Sequence, residues 1–363
     1  MKKICFFNSV KSWGGGEKWH YETALYFMHS GYSTHFFLTE NSALHQKLKH
    51  HSKINLHFVK ISGLSFLNPL KVASLKNIFK KLEIDILLIN LSSDLKIAAQ
   101  SATKAAVKKI IYRRGSAIPI KNSMLNRYIF SHWITDILAN SKATAETILQ
   151  NNSDLFPKEK IKIIYNPIDI LEFVQRPFQE IYHRKQDEII IGNLGRLEKQ
   201  KNQKFFIRLS EALKDKGIDH KILIAGSGKL ENELKQMAVT KRVNDNFIFT
   251  GFLSNVKDLL MSCDIFILPS LWEGFGFVLA EASLCKRPII AFDISSIPEV
   301  VIKDRTGFLI EVNAVKECVD KIILLKNNPK VGQKMGEEGF NFVGNQFDKT
   351  KIMREVENFI TNK

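Results

Sequence analysis

Short apolar runs alternate with helical stretches along this chain, and the alternation restarts after about Pro167. An apolar run, a helix and a further apolar run are typical of two parallel strands joined by a crossover helix. The first series of predicted strands is Lys3–Asn8, Thr34–Leu38, Ile84–Asn90, Lys109–Tyr112 and Asp136–Ala139. The second series is Glu188–Asn193, His220–Ala225, Asn246–Thr250, Ile265–Leu268 and Arg287–Phe292. The sequence therefore predicts an α/β fold with two doubly wound, Rossmann-like sheets.

The two series also predict the domain organisation. A chain of 363 residues is too long for one ordinary hydrophobic core. We predict a first domain over residues 1–170 and a second over residues 171–347, with the polar stretch Gln175–Asp187 as a linker. Ligands of open α/β sheets bind beyond the carboxyl ends of the strands, so two sheets facing each other predict a ligand cleft.

Composition excludes several classes of protein. Hydrophobic residues make up 45% of the chain and charged residues 25%, which is typical of a soluble globular protein. No apolar run approaches the ~20 residues that span a bilayer, and the apolar core Ile4–Phe7 is too short for a signal peptide. The cysteines form no CxxC pair, which predicts reduced structural thiols in a cytoplasmic protein. They are Cys5, Cys263, Cys285 and Cys318.

The net charge of +16 is concentrated in the first half of the chain. Residues 1–170 contain 24 Lys and Arg against 11 Asp and Glu, a net charge of +13. This asymmetry predicts that the first domain meets something anionic. The alternative is a basic surface that only keeps the protein soluble.

The segment LPSLWEGFGFVLAEASLCKRPII, residues 268–290, places two carboxylates around a Gly-Phe-Gly turn. Glu273 lies in the predicted loop after the strand Ile265–Leu268, and Glu281 lies about one turn inside the predicted helix Phe277–Leu284. The backbone N–H groups at a helix start suit an anion, and carboxylates beside them suit hydroxyls. An anion next to several hydroxyls describes a nucleotide-sugar. The alternative is a glutamate that only complements the helix dipole.

A second motif, GNLGRLEKQKN, follows the first strand of the second half and spans residues 192–202. Arg196 offers a planar fork and Lys201 a point charge within one loop, which suits the several oxygens of a diphosphate. The alternative is a loop with incidental basic residues.

Together these strings resemble the signatures of the retaining nucleotide-sugar glycosyltransferases of family 4, which have the GT-B fold. The family's E-G-F-G-x-x-x-x-E-A pattern and the proline before the next strand match at Glu273, Gly274, Phe275, Gly276, Glu281, Ala282 and Pro288. The chain departs from the pattern at Lys286, where the family usually has Gly. The GNLGRLEKQKN string similarly resembles the family motif G-R-L-x-x-x-K-[GN].

The resemblance implies roles for these residues. Arg196 and Lys201 would neutralise the departing nucleoside diphosphate, with Glu273 holding hydroxyls of the donor sugar and Glu281 those of the ribose. Further donor contacts are expected around the helix start and at the F-x-G turn before residue 253, at Phe275, Gly276, Phe277, Gly251 and Phe252. The resemblance also implies that the terminal helix, about residues 348–363, packs back on the first domain.

In the first domain, GGGEKWH, residues 14–20, resembles the family's N-terminal G-G-x-E. We expect Gly15 and Glu17 to face the acceptor, and Gly16 to contact the donor phosphate or the acceptor, because glycine lets a ligand approach the backbone closely.

Where many family members place a histidine near the reacting sugar, this chain has Arg113 and Arg114. An arginine cannot act as a general base because it stays protonated, but it binds phosphate and carboxylate well. We therefore predict that both arginines bind an anionic acceptor and that Asp94 orients an acceptor hydroxyl.

The resemblance as a whole implies a retaining hexosyltransferase that uses a UDP-, GDP- or ADP-linked sugar. Its expected acceptor is an anionic glycan or glycolipid, such as the lipopolysaccharide core, reached at the inner face of the cytoplasmic membrane. We expect no cofactor and no metal, because the chain has no DxD pair at a strand end. Two alternatives remain: a GT-B sugar-nucleotide epimerase, and a basic nucleic-acid-binding protein, although no interleaving of aromatic and basic residues favours nucleic acid.

Overall fold

A computed structural model of the chain describes residues 2–362 and divides them into two compact units. The first unit contains the chain up to Pro167 and again from Lys349 onward, and the second contains Ile168–Asp348. The chain thus passes between units twice, after Pro167 and after Asp348. The boundary had been predicted slightly later, between residues 170 and 171.

The first unit is a seven-stranded parallel sheet flanked by helices. Its strands are β1 (Lys3–Asn8), β2 (Ser33–Leu38), β3 (Ile54–Phe58), β4 (Ile86–Ile89), β5 (Lys109–Arg114), β6 (Asp136–Ala139) and β7 (Ile161–Ile163). Its helices are α1 (Gly15–His29), α2 (Ala43–Leu48), α3 (Pro69–Leu82), α4 (Ser92–Lys104), α5 (Met124–His132), α6 (Lys142–Leu149) and the terminal α15 (Lys349–Thr361). The strand order is β3-β2-β1-β4-β5-β6-β7, so the direction of winding reverses between β1 and β4.

Two cores cover the two faces of this sheet. Helices α3 to α6 contribute to one core, which includes Phe79, Ala98 and Phe130. Helices α1, α2 and α15 contribute to the other. The apolar stripe of α15, which consists of Ile352, Val356 and Ile360, is buried in that second core. The last helix of the chain is therefore part of the first unit.

The second unit repeats the architecture with a six-stranded parallel sheet. Its strands are β8 (Ile189–Leu194), β9 (His220–Ala225), β10 (Phe247–Gly251), β11 (Ile265–Leu268), β12 (Ile289–Phe292) and β13 (Gly307–Ile310). Its helices are α7 (Ile170–Gln175), α8 (Lys204–Asp215), α9 (Glu231–Thr240), α10 (Lys257–Ser262), α11 (Phe277–Leu284), α12 (Ile297–Val300), α13 (Val315–Asn327) and α14 (Pro329–Gln346). The order β10-β9-β8-β11-β12-β13 reverses direction between β8 and β11.

The predicted fold class is confirmed, because both series of strands form separate parallel sheets. The interpretation of Gln175–Asp187 as a linker is wrong. The Gln179 N–H donates to Asp258 Oδ1 at 2.9 Å, and the Ile181 N–H donates to Ser262 Oγ at 3.0 Å. Arg184 also pairs with Asp264 at 2.6 Å. These bonds fasten the polar stretch to the second unit.

The four cysteines are buried free thiols. Burial raises the pKa of Cys263 and of Cys285 to about 12, so neither thiol forms a reactive thiolate at neutral pH. Among residues 2–362, no helix combines the length and the apolar character that crossing a membrane requires.

A histidine pair in the first unit should make its stability pH-dependent. His35 on β2 is buried, and its Nδ1 lies 3.1 Å from Nε2 of His57 on β3. Burial, together with the charges of His57 and Lys3, lowers the pKa of His35 to about 4. An unfolded chain takes up this proton at about pH 6.5, whereas folded His35 resists it until much lower pH. Protonation therefore favours unfolding as the pH falls.

We expect His35 to reduce the free energy of unfolding by about 2 kcal/mol between pH 7 and pH 5. Urea unfolding at several pH values would measure this, with His35→Gln expected to flatten the dependence. His50→Gln, at an exposed position of the same unit, is the control. Equal slopes in wild type and His35→Gln would contradict the assignment.

Candidate active site

Two loops of the second unit meet where the strand order of its sheet reverses. One follows β8 and carries Arg196 and Lys201, and the other follows β11 and carries Glu273. Because β8 and β11 are neighbours in the sheet, their carboxyl ends lie side by side. Doubly wound sheets bind their ligands at this position.

Lys201 and Glu273 form the central contact of the site. Lys201 Nζ lies 2.5 Å from Glu273 Oε1, and the two side chains are only 14% and 8% exposed. Lys201 closes the short 3₁₀ turn Lys199–Lys201, and Asn202 then takes a left-handed φ of 51°. Asn is one of the few residues that tolerate this conformation, which explains the Gly or Asn of the motif. A buried, charge-assisted pair of this kind has a fixed geometry.

Hydrogen bonds between the two loops hold this pair in place. Gln200 Nε2 donates to the Trp272 carbonyl at 2.8 Å, and the Leu271 N–H donates to the Gln200 carbonyl at 2.8 Å. The Glu273 carbonyl accepts from Ser295 Oγ at 2.7 Å and from Ser296 Oγ at 3.1 Å. Hydrogen bonds therefore fix the backbone of both loops next to the ion pair.

Arg196 lies in the same loop but in a different environment. Its side chain is 68% exposed, and Nη1 lies 3.2 Å from Glu198 Oε2. An exposed pair of this kind contributes little to stability, so an incoming anion can displace Glu198 at small cost. The two basic residues therefore differ. The Lys201 ammonium is buried and held in place, whereas the Arg196 guanidinium is exposed.

Glycines bring the ends of three strands into close contact beside these loops. The Gly195 N–H donates to the Ala225 carbonyl at 3.0 Å, and the Gly226 N–H donates to the Gly251 carbonyl at 2.7 Å. A Cβ on Gly226 would lie 2.0 Å from the Gly195 carbonyl oxygen, and Gly226 has a φ of 129°. Only glycine fits at this position.

We expect Gly226→Ala to destabilise the second unit by about 3 kcal/mol, because backbone must move to accept the methyl group. The matched control is Gly344→Ala on α14, where an added Cβ meets nothing within 4 Å. That change should stabilise slightly, as alanine does in a helix. Thermal unfolding of both variants would test this, and equal midpoints would contradict it.

The helix α11 begins at the predicted residue and carries Glu281 in its second turn, where that residue is half-buried. Gly276 caps the helix with a left-handed φ of 87°. Phe275 is buried, and its ring packs edge-on against Phe277 at 5.3 Å and Phe347 at 5.0 Å. The Phe275 side chain therefore supports the loop, so a donor would meet this residue only through its backbone.

The remaining predicted donor residues of the second unit follow β10. Gly251 has a left-handed φ of 71°, and Phe252 beyond it is well exposed. The exposed Phe252 ring, next to this hydrogen-bonded turn, can contact a flat group of a ligand.

In the first unit, the Gly-rich loop follows β1 at the reversal between β1 and β4. Glu17 in the first turn of α1 is buried and accepts from Asn8 Nδ2 at 3.1 Å. A Cβ on Gly16 would lie 2.4 Å from Asn90 Nδ2. Gly16 therefore permits the close contact between the start of α1 and the end of β4, while its neighbour Gly15 begins the helix.

Arg113, for which the sequence predicted binding of an anionic acceptor, is buried near the end of β5. Its Nη1 donates to Asn90 Oδ1 at 3.0 Å and its Nη2 to Asn166 Oδ1 at 2.7 Å. The guanidinium also lies 4.8 Å from the Trp19 ring centroid. Burial lowers the pKa of Arg113 to about 10, so it stays charged at neutral pH. Within the described residues no carboxylate lies within 4 Å of it.

Arg114 and Asp94 already have protein partners. Arg114 donates from Nη2 to the Ile118 carbonyl and from Nη1 to Tyr112 Oη at 3.3 Å. Asp94 is fully buried and accepts from the Ser9 N–H at 2.8 Å and Ser9 Oγ at 2.6 Å. Burial raises the pKa of Asp94. Its carboxylate holds the loop after β1, and this geometry favours a positioning role over direct contact with an acceptor.

Sequence reasoning overlooked a set of asparagines at strand ends. Asn193 at the end of β8 donates to the Ile267 carbonyl of β11 at 2.9 Å, linking the two strands at the reversal. Asn8 is the last residue of β1 and donates to Glu17, and Asn90 directly follows β4 and accepts from Arg113. The signal was present, because each is an amide directly after an uninterrupted apolar run.

Comparison with known proteins places this fold in a class. The structure of Anabaena HepE, solved with UDP-glucose, matches with a TM-score of 0.83 at 20% identity and covers 100% of both chains. This likeness shows a GT-B fold of two parallel-sheet α/β units.

The family follows from sequence. Residues 174–342 match the family model "Glycosyl transferases group 1", and residues 13–171 match "Glycosyltransferase Family 4". The chain therefore belongs to the family 4, group 1 glycosyltransferases, as the motifs indicated.

Two curated relatives are enzymes named for lipid-linked substrates. The Campylobacter jejuni N-acetylgalactosamine-N,N'-diacetylbacillosaminyl-diphospho-undecaprenol 4-alpha-N-acetylgalactosaminyltransferase is 30% identical over 65% of this chain and 63% of that enzyme. That alignment thus spans less than two thirds of the relative's length. The Escherichia coli UDP-Gal:alpha-D-GlcNAc-diphosphoundecaprenol alpha-1,3-galactosyltransferase is 25% identical over 81% of this chain and 80% of that enzyme.

Proposed function

We propose that this glycosyltransferase moves a sugar, with retention of configuration, from a nucleoside diphosphate sugar to an anionic glycan or glycolipid. The observation that carries the proposal is the buried Lys201–Glu273 pair beside Arg196, at the position where doubly wound sheets bind ligands. A related fold solved with UDP-glucose and two relatives named for diphospho-undecaprenol substrates support it. We propose that this transfer serves the synthesis of lipopolysaccharide or another envelope polysaccharide. It would take place at the inner face of the cytoplasmic membrane.

The proposed chemistry requires stabilisation of a leaving group more than a protein nucleophile. The bond from the anomeric carbon to the diphosphate breaks through an oxocarbenium-like transition state, while the bond to the acceptor oxygen forms on the same face. The acceptor hydroxyl gives its proton to a diphosphate oxygen. Lys201 and Arg196 stabilise the charge that develops on the diphosphate. This replaces the charge that a divalent metal would supply, so we propose that no metal is required.

The ion pair suggests how donor binding prepares the site. In the structure, Glu273 neutralises Lys201. A diphosphate arriving near Lys201 offers oxygens of higher charge and competes for the ammonium. Glu273 is then released to accept hydrogen bonds from hydroxyls of the donor sugar, while Glu281 on α11 binds the ribose.

We assign acceptor binding to the first unit because this unit is strongly basic. Arg113 is a buried cation that donates to two amide oxygens and lies over an aromatic face. Among the described residues, the nearby Glu17 carboxylate favours the charge of Arg113 but forms no ion pair with it within 4 Å. A buried charge without a direct ion pair is costly, and an anionic ligand group would relieve that cost. The charge of +13 on residues 1–170 favours the same kind of acceptor.

The donor is tested by a thermal-shift panel of UDP-, GDP- and ADP-sugars, with EDTA present in a parallel series. A ligand at 100-fold its Kd should stabilise by about 2.7 kcal/mol. Glu281→Ala should weaken binding of the free nucleoside diphosphate, whereas Glu273→Ala should spare it and impair use of the sugar. Equal nucleotide affinity and full transfer in both variants, or loss of activity with EDTA that Mn²⁺ restores, would refute this part of the proposal.

The acceptor is tested with matched phosphorylated and neutral glycans. Arg113→Lys keeps the buried charge but loses the fork that binds Asn90 and Asn166. We expect it to raise KM for a phosphorylated acceptor by roughly 10-fold, with KM for the donor unchanged. Equal use of both acceptors by the wild type would contradict an anionic acceptor.

A further inference from the structure

One face of the first unit has a distinctive charge pattern. Residues 59–82 and 95–135 together contain 13 Lys and Arg and no Asp or Glu. Three of the 13, Lys109, Arg113 and Arg114, belong to β5, so ten lie in the helices and the loops around them. These stretches include α3, α5 and nearly all of α4, whose only acidic residue, Asp94, is buried. The three helices pack on the same side of the sheet, with α4 in contact with both α3 and α5. They therefore form one layer with a basic outer surface.

Large apolar side chains are exposed at one edge of this layer. Leu64 and Leu67, just before α3, and Leu70, in its first turn, are 70%, 66% and 79% exposed. Met124 and Tyr128, at the start of α5, are 88% and 52% exposed. Both groups follow parallel strands, β3 and β5, so they lie at the same carboxyl edge of the sheet.

The segment that presents the leucines is well anchored. Phe66 between them packs against the core and lies under Lys96 of α4, with Nζ 5.0 Å from the ring centroid. Asn68 caps α3 by accepting from the Leu70 N–H at 3.0 Å. The leucines are therefore held outward by local structure, and soluble proteins seldom expose such a group without a partner.

We propose that this face, consisting of the exposed edge residues and the basic layer of α3, α4 and α5, docks on an anionic lipid bilayer. The leucines and Met124 would enter the boundary of the bilayer while the lysines contact the headgroups. The inference rests on the proposed function in one respect, since the bilayer would carry the acceptor. Nucleic acid is the other polyanion that such charge could attract, but four of the five exposed edge residues, the leucines and Met124, cannot stack on bases as the Tyr128 ring could.

The test is sedimentation of the full chain with vesicles of phosphatidylcholine, with and without phosphatidylglycerol. The wild type should bind the anionic vesicles at low salt and lose them as salt rises. Leu64→Ser/Leu67→Ser/Leu70→Ser should lower partitioning by roughly 100-fold. Lys121→Gln/Arg127→Gln should lower it by roughly 25-fold, about fivefold for each basic residue.

Matched controls lie on the second unit, where Leu171 and Val239 are similarly exposed. Leu171→Ser/Val239→Ser and Lys316→Gln/Lys330→Gln should partition like the wild type. Equal binding of the wild type to neutral and anionic vesicles, or unchanged binding of the triple leucine variant, would overturn the docking surface. Retention of duplex DNA without binding to vesicles would also overturn it, in favour of nucleic acid.

The donor thermal shift, measured in the same samples, separates this inference from the proposed function. A wild-type protein that docks but shows no donor shift supports the surface and refutes the transferase proposal. A donor shift without docking refutes the surface alone. All the surface variants should keep the wild-type donor shift.

Discussion

Replacement of Lys201 by alanine is expected to lower kcat by roughly 100-fold or more, as does the loss of other groups that stabilise charge in a transition state. Lys201 is the only basic residue of its loop that is both largely buried and fixed by a partner at 2.5 Å. A buried charge acts in a medium of low dielectric constant and therefore interacts strongly with the departing diphosphate. Arg196→Ala should have an effect of similar size, because both cations face the same group in the proposed mechanism.

Lys199 supplies the matched control for this experiment. It lies in the same 3₁₀ turn as Lys201, but its side chain is exposed. Lys199→Ala should therefore leave kcat close to that of the wild type. Steady-state rates at saturating donor would be compared, with folding verified by circular dichroism. Near-normal turnover in both Lys201→Ala and Arg196→Ala would remove the assignment of the leaving-group site.

Breaking the Lys201–Glu273 pair should also destabilise the second unit by about 3–5 kcal/mol, because either single removal leaves an uncompensated buried charge. Both side chains are nearly excluded from water, so solvent screens them little. Removing both charges together should cost much less. Lys201→Met, Glu273→Gln and the double variant form the thermodynamic cycle.

We expect the free energies of unfolding in this cycle to be strongly non-additive. Urea unfolding of the four proteins would measure the coupling. The exposed pair of Lys235 with Glu231, at 2.7 Å on α9, provides the comparison, and its coupling should stay below about 1 kcal/mol. Additive effects at Lys201 and Glu273 would show that the pair is not coupled in solution.

All ten strands that the sequence predicted are present, and the three that it missed, β3, β7 and β13, lie at sheet edges. The strand β13 is a buried run of only four residues that starts with a glycine, whereas β3 and β7, at the two edges of the first sheet, were missed because of their polarity. An edge strand has neighbours on one side only, so β3 contains Asn55 and His57, and β7 is largely exposed. Neither forms the continuous apolar run by which buried parallel strands are recognised.

Local conformation at two motif positions was also predictable in part. Lys286 departs from the family's usual Gly, yet it takes the left-handed φ of 54° that Gly would favour. The turn after α11 is therefore kept, at some conformational cost. Asn202 takes the same region of conformation after Lys201, as the motif implied.

The sequence by itself determined the class of fold, the positions of the glycine-rich turns and the residue types beside them, because these depend on local patterns of burial and backbone conformation. Only the tertiary structure decided which charges meet. Lys201 pairs with Glu273 because β11 returns beside β8, and Arg113 is buried between Asn90 and Asn166 because β4, β5 and the end of the first unit converge. These contacts depend on the order of strands in the sheets, which differs from their order along the chain, and their energies depend on burial that no local pattern records.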